Sequence, residues 1–132
     1  PSFTTGVAAA DYDSDGALDL VVGNYGEGYR LYRNQLDPAA AGLHWLVVEP
    51  VGRGPVDRDA LGTRVTVTTS DGRRRVAERR SGSSLGSGDM LPLHFGLGTA
   101  RVREVEIRWL DGTVTRHHDV PTDGVWQVIH PG

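Results

Sequence analysis

Four aspartates in one short run constrain this chain of 132 residues more than any other feature of its sequence. The run from Asp11 to Asp19 reads DYDSDGALD. Carboxylates this close together repel one another at neutral pH, and an opposite charge nearby relieves that repulsion. The run therefore predicts a loop whose side chains surround a bound cation.

The spacing of these residues indicates calcium. Ca²⁺ takes about six to eight oxygen ligands, and a loop can supply them from its first, third, fifth and ninth positions and from the main-chain carbonyl of its seventh. Gly16 stands at the sixth position, where such loops turn sharply and a residue without a Cβ turns at little steric cost. A surface Asp-Gly turn without an ion is the alternative interpretation. The predicted ligands are the carboxylates of Asp11, Asp13, Asp15 and Asp19 and the carbonyl of Ala17.

The residues that flank the acidic run predict strands rather than helices. An EF-hand would need a glutamate at the twelfth loop position, which is Val22 here, and an amphipathic helix on each side. Short apolar runs bounded by glycine, Gly6–Ala10 and Leu18–Asn24, read instead as two strands, and Tyr29–Asn34 reads as a third. Residues 6–34 are therefore predicted to form a three-stranded meander around the calcium loop.

The run from Ala9 to Asn24, AADYDSDGALDLVVGN, resembles the FG-GAP or VCBS repeat, the calcium-bearing blade unit of integrin-type β-propellers. The resemblance covers residues 1–36 and implies a terminal propeller blade, with further blades missing from this sequence. Blades of this kind normally need neighbours to cover their faces. We therefore expect the meander to self-associate through an uncovered apolar face, which we assign to Val7, Ala9, Leu20, Val22 and Leu31.

Residues 37–42, DPAAAG, read as a linker, and a second β unit is predicted from residue 43 to residue 132. Its apolar segments are short, alternate with polar residues and are separated by Asp-Gly turns such as Asp71-Gly72. In the strand after that turn we expect Val76 to face inward. The whole chain is thus predicted to be all-β, with a blade-like meander followed by a β-sandwich of about seven short strands.

Four pieces of this second unit resemble the ASPIC/UnbV domain, in the order seen in that family: His44–Leu46, Leu61–Val65, Leu93–Gly98 and Arg108–Thr113. Cartilage-acidic-protein-like and enediyne-cluster proteins carry this domain after FG-GAP repeats. The resemblance implies a non-enzymatic, calcium-stabilised interaction module that is secreted or extracytoplasmic. The alternative it implies is an accessory protein of enediyne-type natural-product biosynthesis, which holds a small aromatic ligand or an enzyme partner.

One concentrated positive charge is a candidate docking surface. Arginine forks match the geometry of carboxylate and sulfate, so an acidic protein or an acidic glycan is the expected partner. No aromatic residue interleaves these arginines and the net charge is −3, which disfavours nucleic acid. A solvated hairpin without a partner is the alternative interpretation. The candidate residues are Arg73, Arg74, Arg75, Arg79 and Arg80, and we expect all of them to be exposed.

Other residue patterns do not indicate catalysis. The serine-rich run 81–88 reads as a flexible loop and lacks the strand-to-helix context of a nucleophile elbow, and the chain has no cysteine. His117 and His118 are adjacent on a predicted strand and so point to opposite faces, which disfavours zinc. His94 is expected to be exposed or hydrogen-bonded rather than catalytic. No apolar run is long enough to span a membrane.

Overall fold

The computed structural model describes residues 3–82 and 87–132, and within them the chain forms ten β-strands and no helix. Residues 83–86 of the serine-rich run 81–88, which we expected to be a loop, lie outside the described residues. The predicted all-β class is confirmed. The strands are β1 (Phe3–Ala10), β2 (Asp19–Tyr25), β3 (Gly28–Tyr32), β4 (His44–Val51), β5 (Arg64–Thr69), β6 (Arg74–Glu78), β7 (Leu93–Gly98), β8 (Val102–Arg108), β9 (Val114–His117) and β10 (Gly124–Ile129).

The first three strands form an antiparallel sheet in the order β1-β2-β3. We call this sheet the meander. Val7 pairs with Val22, so these two side chains lie on the same face. Leu31 pairs with Val21 instead, which places it on the opposite face. The prediction that Leu31 shares a face with Val22 is wrong, because the register of β3 places Arg30 rather than Leu31 opposite Val22.

The other seven strands form two sheets, in the orders β10-β4-β7 and β6-β5-β8-β9. Their inner faces share one hydrophobic core, and we call the two sheets together the sandwich. Strands β4 and β10 run parallel, while every other pair in the sandwich is antiparallel. The core is Leu46, Val48, Val56, Ala60, Val65, Val67, Leu93, Phe95, Leu97, Val105, Ile107, Trp109, Val120 and Val128.

Strand β6 has the opposite facing from the one predicted. Val76 pairs with Thr66 on the outer face and is 52% exposed. Arg75 and Ala77 point toward the core side instead, and Ala77 packs against the core. Side chains alternate between the two faces along a strand. One apolar residue therefore does not show which face of β6 is inward when the inward positions are arginine and alanine.

No helix among residues 3–82 and 87–132 is long and apolar enough to cross a membrane.

Candidate metal centre and its contact with the sandwich

The acidic run folds into a loop that gathers three of its four carboxylates. Oxygens of Asp11, Asp13 and Asp15 lie within 4.8 Å of one another, and Asp13 is exposed while the other two are half-buried. A single cation could therefore contact all three carboxylates. Within residues 3–82 and 87–132 this is the only group of three or more histidines or acidic residues with such spacing.

Backbone amides of the loop fix the carboxylates in place. The amides of Asp15 and Gly16 donate to the two oxygens of Asp11, at 3.1 and 3.0 Å. The amide of Ala17 donates to Asp15 at 2.9 Å. Gly16 has a φ of 91°, in the left-handed region that glycine occupies at little cost. The loop thus wraps its backbone around the first aspartate and leaves further carboxylate lone pairs for a ligand.

Asp19 lies outside the group of three and is only 2% exposed. Its Oδ1 accepts a hydrogen bond from the amide of Asn34 at 2.7 Å, and its Oδ2 accepts one from the amide of Tyr12 at 3.2 Å. These bonds close the loop at its base and tie it to the segment after β3. The roles of Asp19 and of the Ala17 carbonyl as ligands remain predictions.

Arg33 places one positive charge beside two of the four aspartates of the loop. Its guanidinium lies 2.7 Å from the carboxylate of Asp13 and 3.5 Å from that of Asp15. The charge of Asp13 raises the pKa of Arg33 above its usual value. Sequence reasoning missed this residue. Strand β3 pairs with β2 so that Tyr32 lies opposite Leu20, and this register brings Arg33 next to the loop. The turn between the two strands is visible in the sequence and could have predicted this position.

The loop also touches the sandwich through its glycine. Gly16 packs so closely against the indole of Trp45 that a Cβ at this position would overlap the ring. The carbonyl of Gly16 accepts a hydrogen bond from Nε2 of His94 at 3.0 Å, and the His94 ring stacks on Trp45 at an interplanar angle of 5°. His94 is thus hydrogen-bonded, as expected. Trp45 and His94 lie on the paired strands β4 and β7, so the sandwich holds the sixth position of the loop.

A second set of contacts joins β1 to the residues before β7. Asp89 accepts a hydrogen bond from the amide of Ala9 at 2.9 Å, and the amide of Met90 donates to the carbonyl of Ala9 at 3.3 Å. Beside these bonds lies an open cleft of about 380 Å³, whose lining includes Leu18, Met90 and Leu93. The outer edge of β1 is therefore partly occupied, whereas no hydrogen-bonded neighbour lies beyond β3 in the described sheet.

The five candidate arginines do not form one surface. Arg79 is only 5% exposed, its Nη1 donates to the carbonyl of Pro50 at 2.8 Å, and desolvation lowers its pKa. The prediction that Arg79 is exposed is wrong, because alternation along and after β6 turns residues 75, 77 and 79 toward the interior. Arg75 is half-buried, while Arg73, Arg74 and Arg80 are exposed. A docking role for the exposed arginines remains a prediction.

The two adjacent histidines have separate partners. His117 packs edge-on against Trp126 with ring centroids 4.9 Å apart, and His118 lies 3.8 Å from Glu104. Burial lowers the pKa of His117, and the neighbouring His118 adds to that effect. Of the tryptophans, Trp109 lies in the core and Trp126 packs against it. Trp109 and Trp126 thus contribute to the packing of the sandwich.

Two family models match the chain. Residues 53–132, more than half of the sequence, match ASPIC and UnbV, and residues 3–42 match the FG-GAP repeat. A comparison with curated proteins found no match. The order of the two matches confirms the resemblances drawn from the sequence pieces. The unit bounds 1–36, 37–42 and 43–132 remain predictions.

Proposed function

The chain belongs to the ASPIC and UnbV family and carries an FG-GAP repeat ahead of that domain, and we propose that it is a non-enzymatic binding module stabilised by Ca²⁺ in its acidic loop. The observation that carries the proposal is the convergence of the Asp11, Asp13 and Asp15 carboxylates within 4.8 Å. FG-GAP repeats often bind calcium, and both domain types are typical of extracellular proteins. A secreted or extracytoplasmic interaction module is therefore our proposal for this chain.

The residues of the loop fit a hard cation. The side chains of Asp11, Asp13 and Asp15 offer only oxygen, which suits Ca²⁺, whereas zinc sites are built mainly from nitrogen and sulfur ligands. The carboxylates of Asp11 and Asp15 are already oriented by backbone amides. A bound calcium ion would supply the positive charge that cancels the repulsion of these carboxylates. Asp19 and the carbonyl of Ala17 are proposed to complete the ligand set.

The position of the loop gives this ion a structural consequence. The turn at Gly16 rests on Trp45 and is bonded to His94 of the sandwich. An ion that fixes the loop would therefore also fix the attachment of the meander to the sandwich. A ligand that binds only the folded state stabilises it by RT ln(1 + [L]/Kd), about 2.7 kcal/mol at a hundredfold excess over Kd. We propose that calcium stabilises mainly the meander and its attachment.

The cleft of about 380 Å³ between β1 and the sandwich favours a second candidate function. Apolar side chains such as Leu18, Met90 and Leu93 line it beside the polar groups of Asp89 and His94. This combination suits a small, partly apolar ligand. An accessory role in enediyne-type biosynthesis, with an aromatic ligand in this cleft, is therefore our alternative proposal.

Isothermal titration calorimetry with CaCl₂ tests the leading proposal. We expect one calcium to bind the wild type, and we expect Asp13→Ala to lose most of that affinity. Asp119→Ala is the matched control, because Asp119 is an exposed aspartate of the sandwich outside the group of three. Equal calcium binding by wild type and Asp13→Ala, or no calcium heat from the wild type, would refute the proposal.

A further inference from the structure

The outer face of the sheet β6-β5-β8-β9 carries a shallow groove lined by three arginines. Arg74 on β6, Arg64 on β5 and Arg108 on β8 surround a volume of about 400 Å³. The remaining lining residues are Thr66, Val76 and Glu106. We call this feature the arginine groove, and it lies on the sandwich alone, independently of the calcium proposal.

Two of these arginines stand directly opposite each other. Arg64 pairs with Arg108 in the antiparallel ladder between β5 and β8. Like charges in directly opposed positions destabilise a sheet, whereas an acidic residue at either position would stabilise it. Glu78 stands opposite Arg64 on its other side, in β6, but the carboxylate of Glu78 pairs with Arg80. An anion bound between the guanidinium groups of Arg64 and Arg108 would therefore offset the repulsion between them.

The carboxylates of the same face are engaged elsewhere. Glu106 lies 2.7 Å from Arg116, Glu78 lies 3.4 Å from Arg80, and Glu104 lies 3.8 Å from His118. Among residues 3–82 and 87–132, no carboxylate forms an ion pair with the three groove arginines, which are Arg64, Arg74 and Arg108. All three arginines are exposed, so the N–H donors of their guanidinium groups are accessible to a ligand.

We propose that the arginine groove binds the carboxylate or sulfate groups of an acidic polysaccharide. Guanidinium forks match these oxyanions in a bidentate manner. Arg74 lies opposite Thr68, four residues along β5 from Arg64, so the two positions are about 13 Å apart at the rise of a β-strand. A ligand that reaches both ends of the groove presents several anions along a chain.

The lining of the groove favours a polysaccharide over other polyanions. Val76 is its single apolar residue, so the groove has no pocket for the apolar or aromatic anchors that dominate peptide interfaces. No aromatic ring lines it either, and single-stranded nucleic acid is bound largely by stacking on such rings. A hydroxyl-rich chain with repeated anions needs only hydrogen-bond donors and positive charge.

Binding of dextran sulfate and of polygalacturonate to the whole chain tests the proposal. Biolayer interferometry in the presence of a chelator excludes calcium bridges, and neutral dextran and poly-glutamate are the comparison ligands. We expect at least one of the two anionic polysaccharides to bind, with an affinity that falls as salt rises. The double variant Arg64→Ser/Arg108→Ser should weaken that binding at least tenfold.

Matched variants distinguish binding in the arginine groove from general attraction to positive charge. Arg53→Ser/Arg101→Ser removes the same charge from two exposed arginines outside the groove and should change affinity less than twofold. Arg64→Lys/Arg108→Lys keeps the charge without the fork and should weaken binding by an intermediate factor. The lysine variant also tests the proposal if the serine variant fails to fold.

Three results would overturn the proposal. The first is that wild type binds neither anionic polysaccharide. The second is that the Arg53/Arg101 variant loses as much affinity as the Arg64/Arg108 variant, which would show nonspecific charge attraction. The third is that poly-glutamate binds as tightly as the polysaccharides and loses its affinity in the same groove variant.

Discussion

The meander and the sandwich are both antiparallel for most of their pairings, yet they are held together in different ways. The sandwich packs two sheets over a continuous core in which Trp109 is only 1% exposed. The meander has a single sheet, and its large apolar side chains, such as Leu20 at 44%, are substantially exposed. Hydrophobic burial therefore stabilises the sandwich far more than the meander.

Polar contacts take the place of a core in the meander. Backbone amides bind the carboxylates of Asp11 and Asp19, Arg33 pairs with Asp13, and Gly16 rests on Trp45. A three-stranded sheet without a covered face is marginal on its own. The stability of the meander therefore depends on its loop and on its attachment to the sandwich, and we expect a bound ion to have its largest effect there.

Core substitutions should give the largest contrast between the regions. Trp109→Ala removes a fully buried side chain and should cost about 3–5 kcal/mol in the free energy of unfolding. Leu20→Ala removes a half-exposed side chain and should cost less than about 1 kcal/mol. Urea unfolding followed by circular dichroism measures both. Similar losses in the two variants would show that the meander has a core of its own and would contradict the difference between the two regions.

Gly16→Ala should weaken the attachment of the meander to the sandwich. Its Cβ would overlap Trp45 and its φ of 91° is unfavourable for alanine, so we expect a loss of about 2–3 kcal/mol. Gly26→Ala is the matched control, because Gly26 has a similar φ of 80° but open space around its Cβ direction. Gly26→Ala should lower the free energy of unfolding by only about 1–2 kcal/mol, the cost of alanine in the left-handed region. Calorimetric unfolding compares the two, and equal losses would contradict a specific contact with Trp45.

Arg33→Gln should tighten calcium binding. Arg33 lies 2.7 Å from Asp13, so it both competes for that carboxylate and repels a second cation. Removal of this nearby positive charge should lower the Kd for calcium several-fold, because like charges repel at short distance even in a solvent-exposed site. The same variant should melt at a lower temperature in chelator. Arg30→Gln is the control, since Arg30 pairs with Glu27 away from the loop, and an unchanged Kd for Arg33→Gln would contradict the competition.

Self-association through the meander should show the smallest effect of these predictions. Strand β3 is an edge strand, and Tyr29 and Leu31 on it are exposed. We expect sedimentation of the wild type to show a weak dimer that dissociates on dilution, and we expect Tyr29→Ser/Leu31→Ser to remove it. Val125→Ser/Ile129→Ser alters an exposed edge of the sandwich instead and should retain the dimer. A wild type that stays monomeric, or a dimer lost only in the second variant, would contradict this assignment.

Periodicity and turn residues were sufficient to predict the class, the two kinds of β unit and the number of sandwich strands. The Asp-Gly turns fixed the hairpins, and the alternation of Val65 and Val67 gave the correct inward face of β5. The facing of β6 was predicted wrongly because Val76 is its most apolar residue and yet lies outside. The facing of β6 is set by its pairing with β5 and by the space beside Pro50 that holds Arg79. No local sequence pattern encodes either feature.

The loop was predictable in its carboxylates and not in its surroundings. Spacing alone identified Asp11, Asp13 and Asp15, which the structure brings together. Arg33 reaches the loop through the register of the β2–β3 hairpin, a local signal in the sequence. Trp45 and His94 reach the loop only through the contact between the two units. These two long-range placements depend on tertiary packing, so a scan of local motifs misses them.

Hydrogen exchange measured by mass spectrometry, in calcium and in chelator, tests the central claim most directly. We predict that calcium slows exchange at least tenfold in the amides of residues 3–36 and leaves exchange in the amides of β5 and β8 unchanged. The Asp13→Ala variant should show no difference between the two conditions. Equal exchange with and without calcium in residues 3–36, or equal slowing in the meander and in β5 and β8, would contradict the claim that calcium stabilises the meander and its attachment.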